Sequence, residues 1–115
     1  MSYFIKVCQE MGIPCVITEY KFHPTRKWRC DYFIPIENSI IKGVSIELEG
    51  GVWASTQGRK SRHFHGKGIV KDMEKYNALS EEHILLLRFE PSKIDYNLIE
   101  KVYNGLIDHR EAGET

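Results

Sequence analysis

Apolar residues at Tyr3, Phe4, Val7, Cys8 and Met11 recur at helical spacing, and Gly12 followed by Pro14 stops the segment, so a short helix is predicted over 3–11. Residues 15–22 are rich in β-branched and aromatic side chains and end at His23-Pro24-Thr25, which reads as a strand and a loop. A stronger strand pattern covers 28–36, and the polar turn Glu37-Asn38-Ser39 leads into another over 40–49, so these two form an antiparallel hairpin. Gly50 and Gly51 end that strand, and a polar loop rich in Gly, Ser, Arg and His is expected through about Gly66. Beyond it, Ile69, Val70, Met73 and Tyr76 mark the apolar face of a helix running to about Leu79, with Lys71, Asp72 and Lys75 on its polar side. The nearly continuous apolar run Ile84-Leu85-Leu86-Leu87-Arg88-Phe89, closed by Pro91, suits a strand covered on both faces. A last helix opening near Ser92 or Asp95 carries Ile94, Leu98, Ile99, Val102, Leu106 and Ile107 before a polar tail.

The order αβββαβα predicts one α/β domain over residues 1–115: an N-terminal helix (1–14), a core (15–91) with helices on both sides of a mixed four-stranded sheet, a C-terminal helix (92–109) and a tail (110–115). A chain of 115 residues can bury a single core, and 42% apolar with 28% charged residues is ordinary globular composition, against disorder or a membrane span. Three cysteines (Cys8, Cys15 and Cys30) with no C-x-x-C pair indicate neither a disulfide framework nor a cysteine zinc site. The first residues show no secretory pattern, which makes the cytoplasm the expected compartment.

The net charge of zero hides an asymmetry. Residues 1–71 hold 11 Lys/Arg against 6 Asp/Glu, and residues 72–115 hold 5 against 10. Two runs without an intervening acid concentrate the positive charge: Lys21, Arg26, Lys27 and Arg29, then Arg59, Lys60, Arg62, Lys67 and Lys71. Either a basic face for a polyanion or solvated loops would produce this.

Strand alternation puts Ser45, Glu47 and Glu49 on one face of the hairpin and Val44, Ile46 and Leu48 on the other; by the same parity Arg29, Asp31 and Phe33 oppose Trp28, Cys30, Tyr32 and Ile34. One face is then apolar, and the other gathers Asp31, Glu47 and Glu49. Carboxylates so close need a positive partner. A hard divalent cation would serve, since Mg²⁺ takes carboxylate oxygens and keeps waters for exchange. The alternative is a solvated edge on which Asp31 pairs with Arg29 or Lys75.

The blocks Glu19-Tyr-Lys-Phe-His-Pro-Thr-Arg-Lys-Trp-Arg-Cys-Asp31, Val44-Ser-Ile-Glu-Leu-Glu-Gly-Gly-Val-Trp53, Gly66-Lys-Gly-Ile-Val-Lys-Asp-Met-Glu-Lys-Tyr-Asn77 and Leu86-Leu-Arg-Phe89 resemble a small phage and bacterial branch of the PD-(D/E)XK nuclease superfamily. That branch is similar to very-short-patch repair endonucleases and archaeal-type Holliday junction resolvases. The resemblance implies a restriction-endonuclease-like αβββαβ core, and it makes Asp31 the first metal-binding aspartate and Glu47 the acid of the (D/E)-x-K half-motif. The Leu48 carbonyl would complete a Mg²⁺ or Mn²⁺ site. Glu49 stands where many members have lysine. Its work would fall to Glu49 itself, as base or ligand of a second cation, to Lys75 reaching in from the helix, or to His63 or His65, in that order. Glu19 is placed either beside the metal ligands or on a surface strand.

The function so implied is metal-dependent hydrolysis of DNA, branched or mismatched, in recombination or repair within a bacterial or phage-infected cell. Arg26, Lys27, Arg29, Arg59, Lys60, Arg62, His63 and His65 would touch backbone phosphates. A Holliday junction would call for a homodimer, mismatch nicking for a monomer; Ile99, Val102, Leu106 and Ile107 of the last helix would accordingly line a dimer surface or cover the sheet. A non-catalytic DNA-binding module is the competing class, and RNA cleavage a third. His23 is expected to organise its own turn, and Trp28 and Trp53 to pack or to stack on bases.

Overall fold

A computed structural model of the chain describes residues 2–37, 40–49 and 61–114, with the side chains of 61–69, 71 and 109–114 outside that description. Among the described residues, three helices and four strands follow in the order α1 (Tyr3–Glu10), β1 (Ile17–Lys21), β2 (Arg29–Pro35), β3 (Gly43–Leu48), α2 (Ser61–Glu81), β4 (Ile84–Phe89) and α3 (Tyr96–Glu114), with a 3₁₀ turn at Pro91–Lys93. The strands lie side by side as β1-β2-β3-β4, antiparallel except for the parallel pair β3/β4 that α2 connects. This is the expected α/β chain with a mixed sheet between helices.

Local chemistry explains the helix ends. Ser2 accepts the Ile5 N–H at 3.2 Å and caps α1, and Gly12 at φ 86° turns the chain out so that its N–H and that of Ile13 reach the carbonyls of Gln9 and Cys8. Asp95 caps α3 through Leu98 N–H at 3.0 Å. His83, at φ 60°, is the left-handed residue that releases α2 into β4.

Each face of the sheet has its own core. Phe4, Cys8 and Ile13 from the α1 region and Ile99 from α3 pack on Ile34, Ile36, Val44 and Ile46. Ala78 and Leu79 of α2 pack on Phe22, Cys30, Phe33 and Ile84. Val102, Leu106 and Ile107 lie half-buried against the first of these cores, so α3 covers the sheet. None of the described helices is long and apolar enough to cross a membrane.

Five expectations change. Residues 61–66 are helical rather than loop, continuous with the helix that follows them, and α3 continues through Glu114 rather than ending before a tail, where Arg110, Glu111 and Ala112 are good helix formers without an apolar stripe. The inner face of α2 is formed by Lys75, Tyr76, Ala78 and Leu79, whereas Val70 and Met73 are more than half exposed. β4 is an edge strand with Leu85 exposed, not one covered on both sides. The simple alternation along β2 also fails. Cys30 and Phe33 share the α2 core while Tyr32 and Ile34 face the other, so the parity shifts between 30 and 33. The irregularity has a counterpart on β1: Glu19, between the Thr18–Tyr32 and Tyr20–Cys30 pairs, takes φ 51° and interrupts the ladder opposite Asp31.

Gly43 shows how tightly β2 and β3 meet. A Cβ there would lie 2.4 Å from Phe33 Cζ and 2.6 Å from the Ile34 carbonyl oxygen. Gly43→Ala is therefore expected to destabilise the fold by about 1–3 kcal/mol in urea titrations, the usual cost of forcing an extra carbon into a packed core.

Candidate active site

Residues Asp31 and Glu47 come together because the β2/β3 register, which aligns Tyr32 with Ile46, places them opposite each other one step further on. Their carboxylates are tied to each other's strands. The Asp31 N–H donates to Glu47 Oε2 at 3.1 Å, and the Leu48 N–H donates to Asp31 Oδ2 at 2.9 Å. Ser45 Oγ, fully buried, also donates to Glu47 Oε2 at 3.2 Å. Glu47 is only 6% exposed, so its ionised form needs a close cation as well as these donors. Lys75 supplies that charge: its Nζ donates to Glu47 Oε1 from α2 in a mostly buried ion pair.

Glu49 belongs to a different cluster. Its Oε1 accepts the Tyr76 hydroxyl at 2.5 Å, and its Oε2 accepts Arg88 Nε at 2.6 Å. The Arg88 guanidinium carbon stands 4.7 Å from the centre of the Tyr76 ring. Burial alone would raise the Glu49 pKa, but the hydrogen bonds from Arg88 and Tyr76, with the charge on Arg88, outweigh it and leave the carboxyl below its ordinary range. Tyr76 is shifted upward, by burial first and then by donating to Glu49.

The expected convergence of three acids is thus divided. Asp31 and Glu47 share one cluster, with the Leu48 backbone between them, and Glu49 is held aside by Tyr76 and Arg88. Among the described residues no group of three His, Cys, Asp or Glu side chains is placed to hold a metal ion. What remains is a hard-oxygen pair, with Asp31 Oδ1 accepting no hydrogen bond among the described residues. Neither Arg29 nor Lys75 pairs with Asp31; Lys75 has gone to Glu47.

Of the residues expected to touch phosphate, Lys27 and Arg29 are exposed at the start of β2. Arg26 is half-exposed, stacks 4.0 Å from the centre of the Trp28 ring and reaches Glu74 of α2 at 3.3 Å. Trp28 packs beside Phe22, and His23 Nδ1 accepts the N–H groups of Thr25 and Arg26, so His23 does organise its turn. Arg59 and Lys60, with Trp53, lie outside the described residues. Arg62, His63 and His65 fall within α2, not in a loop, and their side chains lie outside the description. Glu19 is exposed on β1.

Sequence reasoning overlooked Tyr76 and Arg88 as site residues. Arg88 was detectable as the lone charge in the apolar run of β4, and its Cα is aligned with that of Glu47. Tyr76 carried no separate signal, because at helical spacing it reads as core. No family model, curated protein or solved structure matches this chain.

Because the folded-state pKa of Glu49 is depressed, its contribution to stability is present above the ordinary carboxylate pKa and is lost as pH falls through the lower folded value. Glu49→Gln should melt at a lower temperature than the wild-type chain at pH 6–7, and the gap should narrow as the pH falls below about 4. Melting curves across that range, followed by circular dichroism, measure it.

Proposed function

We propose that this chain is a metal-dependent DNA endonuclease with a restriction-endonuclease-like core, of the PD-(D/E)XK kind. The observation that carries this reading is the reciprocal tie between Asp31, near the start of β2, and Glu47, near the end of β3, with Lys75 directed to the Glu47 carboxylate. The αβββαβ order around a mixed sheet, and the blocks of sequence that resemble the superfamily, support it.

The donor chemistry suits a hard cation: two carboxylates, one buried and one half-buried, stand on either side of a backbone amide and offer oxygen alone. Asp31, Glu47 and the Leu48 carbonyl would hold Mg²⁺ or Mn²⁺. Such an ion, when bound, supplies an acidified water and neutralises charge on the scissile phosphate. The protein's own part is orientation. Leu48 N–H fixes the Asp31 carboxylate, Asp31 N–H and Ser45 fix that of Glu47, and both groups are thereby set before substrate arrives. Lys75, which sits on Glu47, takes the place of the missing half-motif lysine and brings positive charge to the phosphate oxygens. Lys27 and Arg29, exposed at the start of β2, would contact the DNA backbone without reading sequence. Branched or mismatched DNA is the proposed substrate, in recombination or repair, with a homodimer required only for a four-way junction.

A second reading, a DNA-binding module without catalysis, is favoured by one observation: Glu47 and Glu49 are already paired with cations of the protein itself, Lys75 and Arg88. Incubation with labelled linear, nicked, mismatched and four-way DNA in Mg²⁺ and Mn²⁺ separates the two. Cleavage of at least one form is expected, reduced roughly 10³-fold by Asp31→Ala or Glu47→Gln, a loss of the size seen when an electrostatic catalytic group is removed. DNA affinity should be unchanged. Binding without cleavage by the wild-type chain assigns the module instead.

A further inference from the structure

Two consecutive residues of α2 reach two alternate residues at the end of β3, Glu47 within the strand and Glu49 just beyond it. Lys75 donates to Glu47, and Tyr76 donates to Glu49. Glu47 and Glu49 are two positions apart, about 6.8 Å at ordinary strand rise, so contacts to both fix where the helix lies along the strand and how it is rotated. Ala78 and Leu79 already limit that rotation, and the second polar contact fixes it at the turn that carries Lys75. The Glu49 contact is itself braced, because Arg88 Nε holds the second carboxylate oxygen while its guanidinium covers the Tyr76 ring. Backbone pairing completes the frame: the Glu49 N–H donates to the Phe89 carbonyl at 2.9 Å, immediately after Arg88.

On the outer half of α2, Val70 and Met73 are solvent-facing and exert no apolar grip on the sheet. Below Tyr76, Ala78 and Leu79 anchor the helix in the core. Just before Lys75, Glu74 meets Arg26 at 3.3 Å in a half-exposed ion pair, a weaker hold on α2 than the buried contacts that follow it. A flexible lysine there, with about 2 kcal/mol of rotamer entropy to lose, depends on a fixed helix to keep its amine on one oxygen.

We infer that Glu49, Tyr76 and Arg88 form a positioning clamp that sets α2 against β3 and thereby holds the Lys75 amine on Glu47. This rests on the nuclease reading for its consequence in catalysis, though not for its geometry. It gives Glu49 a role other than base or cation ligand: the acid standing at the half-motif's lysine position holds the helix that carries the replacement lysine.

Tyr76→Phe removes one hydroxyl and keeps the ring, so it tests the clamp with little disturbance to packing. The first readout is the ¹⁵N–¹H signal of the Lys75 ammonium, which is sharp only when its protons are held. It should be visible in the wild-type chain and in Met73→Ala, a substitution on the exposed side of α2. It should broaden beyond detection in Tyr76→Phe and in Glu49→Gln, as in Glu47→Gln. The second readout is turnover on the DNA form that is cut: Tyr76→Phe should lower kcat about tenfold with DNA affinity in Ca²⁺ unchanged. Arg88→Lys should recover more of the signal and of kcat than Arg88→Ala. An undiminished Lys75 signal in both Tyr76→Phe and Glu49→Gln overturns the clamp, as does its absence from the folded wild-type chain. A chain that shows the signal and its loss but cuts no DNA leaves the clamp standing and removes the nuclease.

Discussion

The buried carboxylate of Glu47 is the constraint around which the site is built. It lies on a central strand whose neighbours, Val44, Ser45 and Ile46, are also withdrawn from solvent. An ionised group there is costly unless donors and a counter-charge surround it. The fold meets that demand from three directions: Asp31 N–H from β2, Ser45 from the same strand, and Lys75 from the helix packed above. Those same elements carry the other groups of the candidate site, so satisfying one acid also assembles its surroundings.

The sheet makes this economical. Because β3 pairs with β2 on one side and β4 on the other, Asp31 and Arg88 both arrive beside the carboxyl end of β3 without a dedicated loop. The parallel crossover from β3 to β4 lays α2 across that end, bringing Lys75 and Tyr76 over Glu47 and Glu49. The irregularity at Glu19 has a related effect. It interrupts the β1/β2 ladder opposite Asp31, at the point of β2 across which Cys30 and Phe33 both turn into the α2 core. Cys30 is fully buried there, and desolvation raises its thiol pKa to about 11, which marks it as packing rather than a nucleophile.

Much of the architecture was legible in the chain. The periodicity of α1, the Gly12 stop, the hairpin and the apolar run of β4 all depend on local patterns, and each element formed where those patterns placed it. The start of α2 was not legible, because 61–66 hold Ser, Arg, His, Phe and Gly in an order that resembles a loop as much as a helix. The inner face of α2 was misread for a physical reason. Val70 and Met73 are apolar but lie over no part of the sheet, while Lys75 and Tyr76 are polar-tipped yet face carboxylates that only β3 could bring to them.

Local sequence determined that Asp31, Glu47 and Glu49 would lie near the end of one hairpin, since two consecutive strands joined by a turn run antiparallel and set the start of one beside the end of the other. It could not determine how they would be partnered. Tyr76 and Arg88 are 27 and 39 residues from Glu49 in the chain, and Lys75 is 28 from Glu47. Which acid each of these would meet depends on the rotation of α2 and on the neighbour that β3 takes in the sheet. Both are set by packing between distant segments, and no local pattern encodes them. Tertiary structure therefore divided three similar carboxylates into a pair that shares backbone donors and a third that braces a helix.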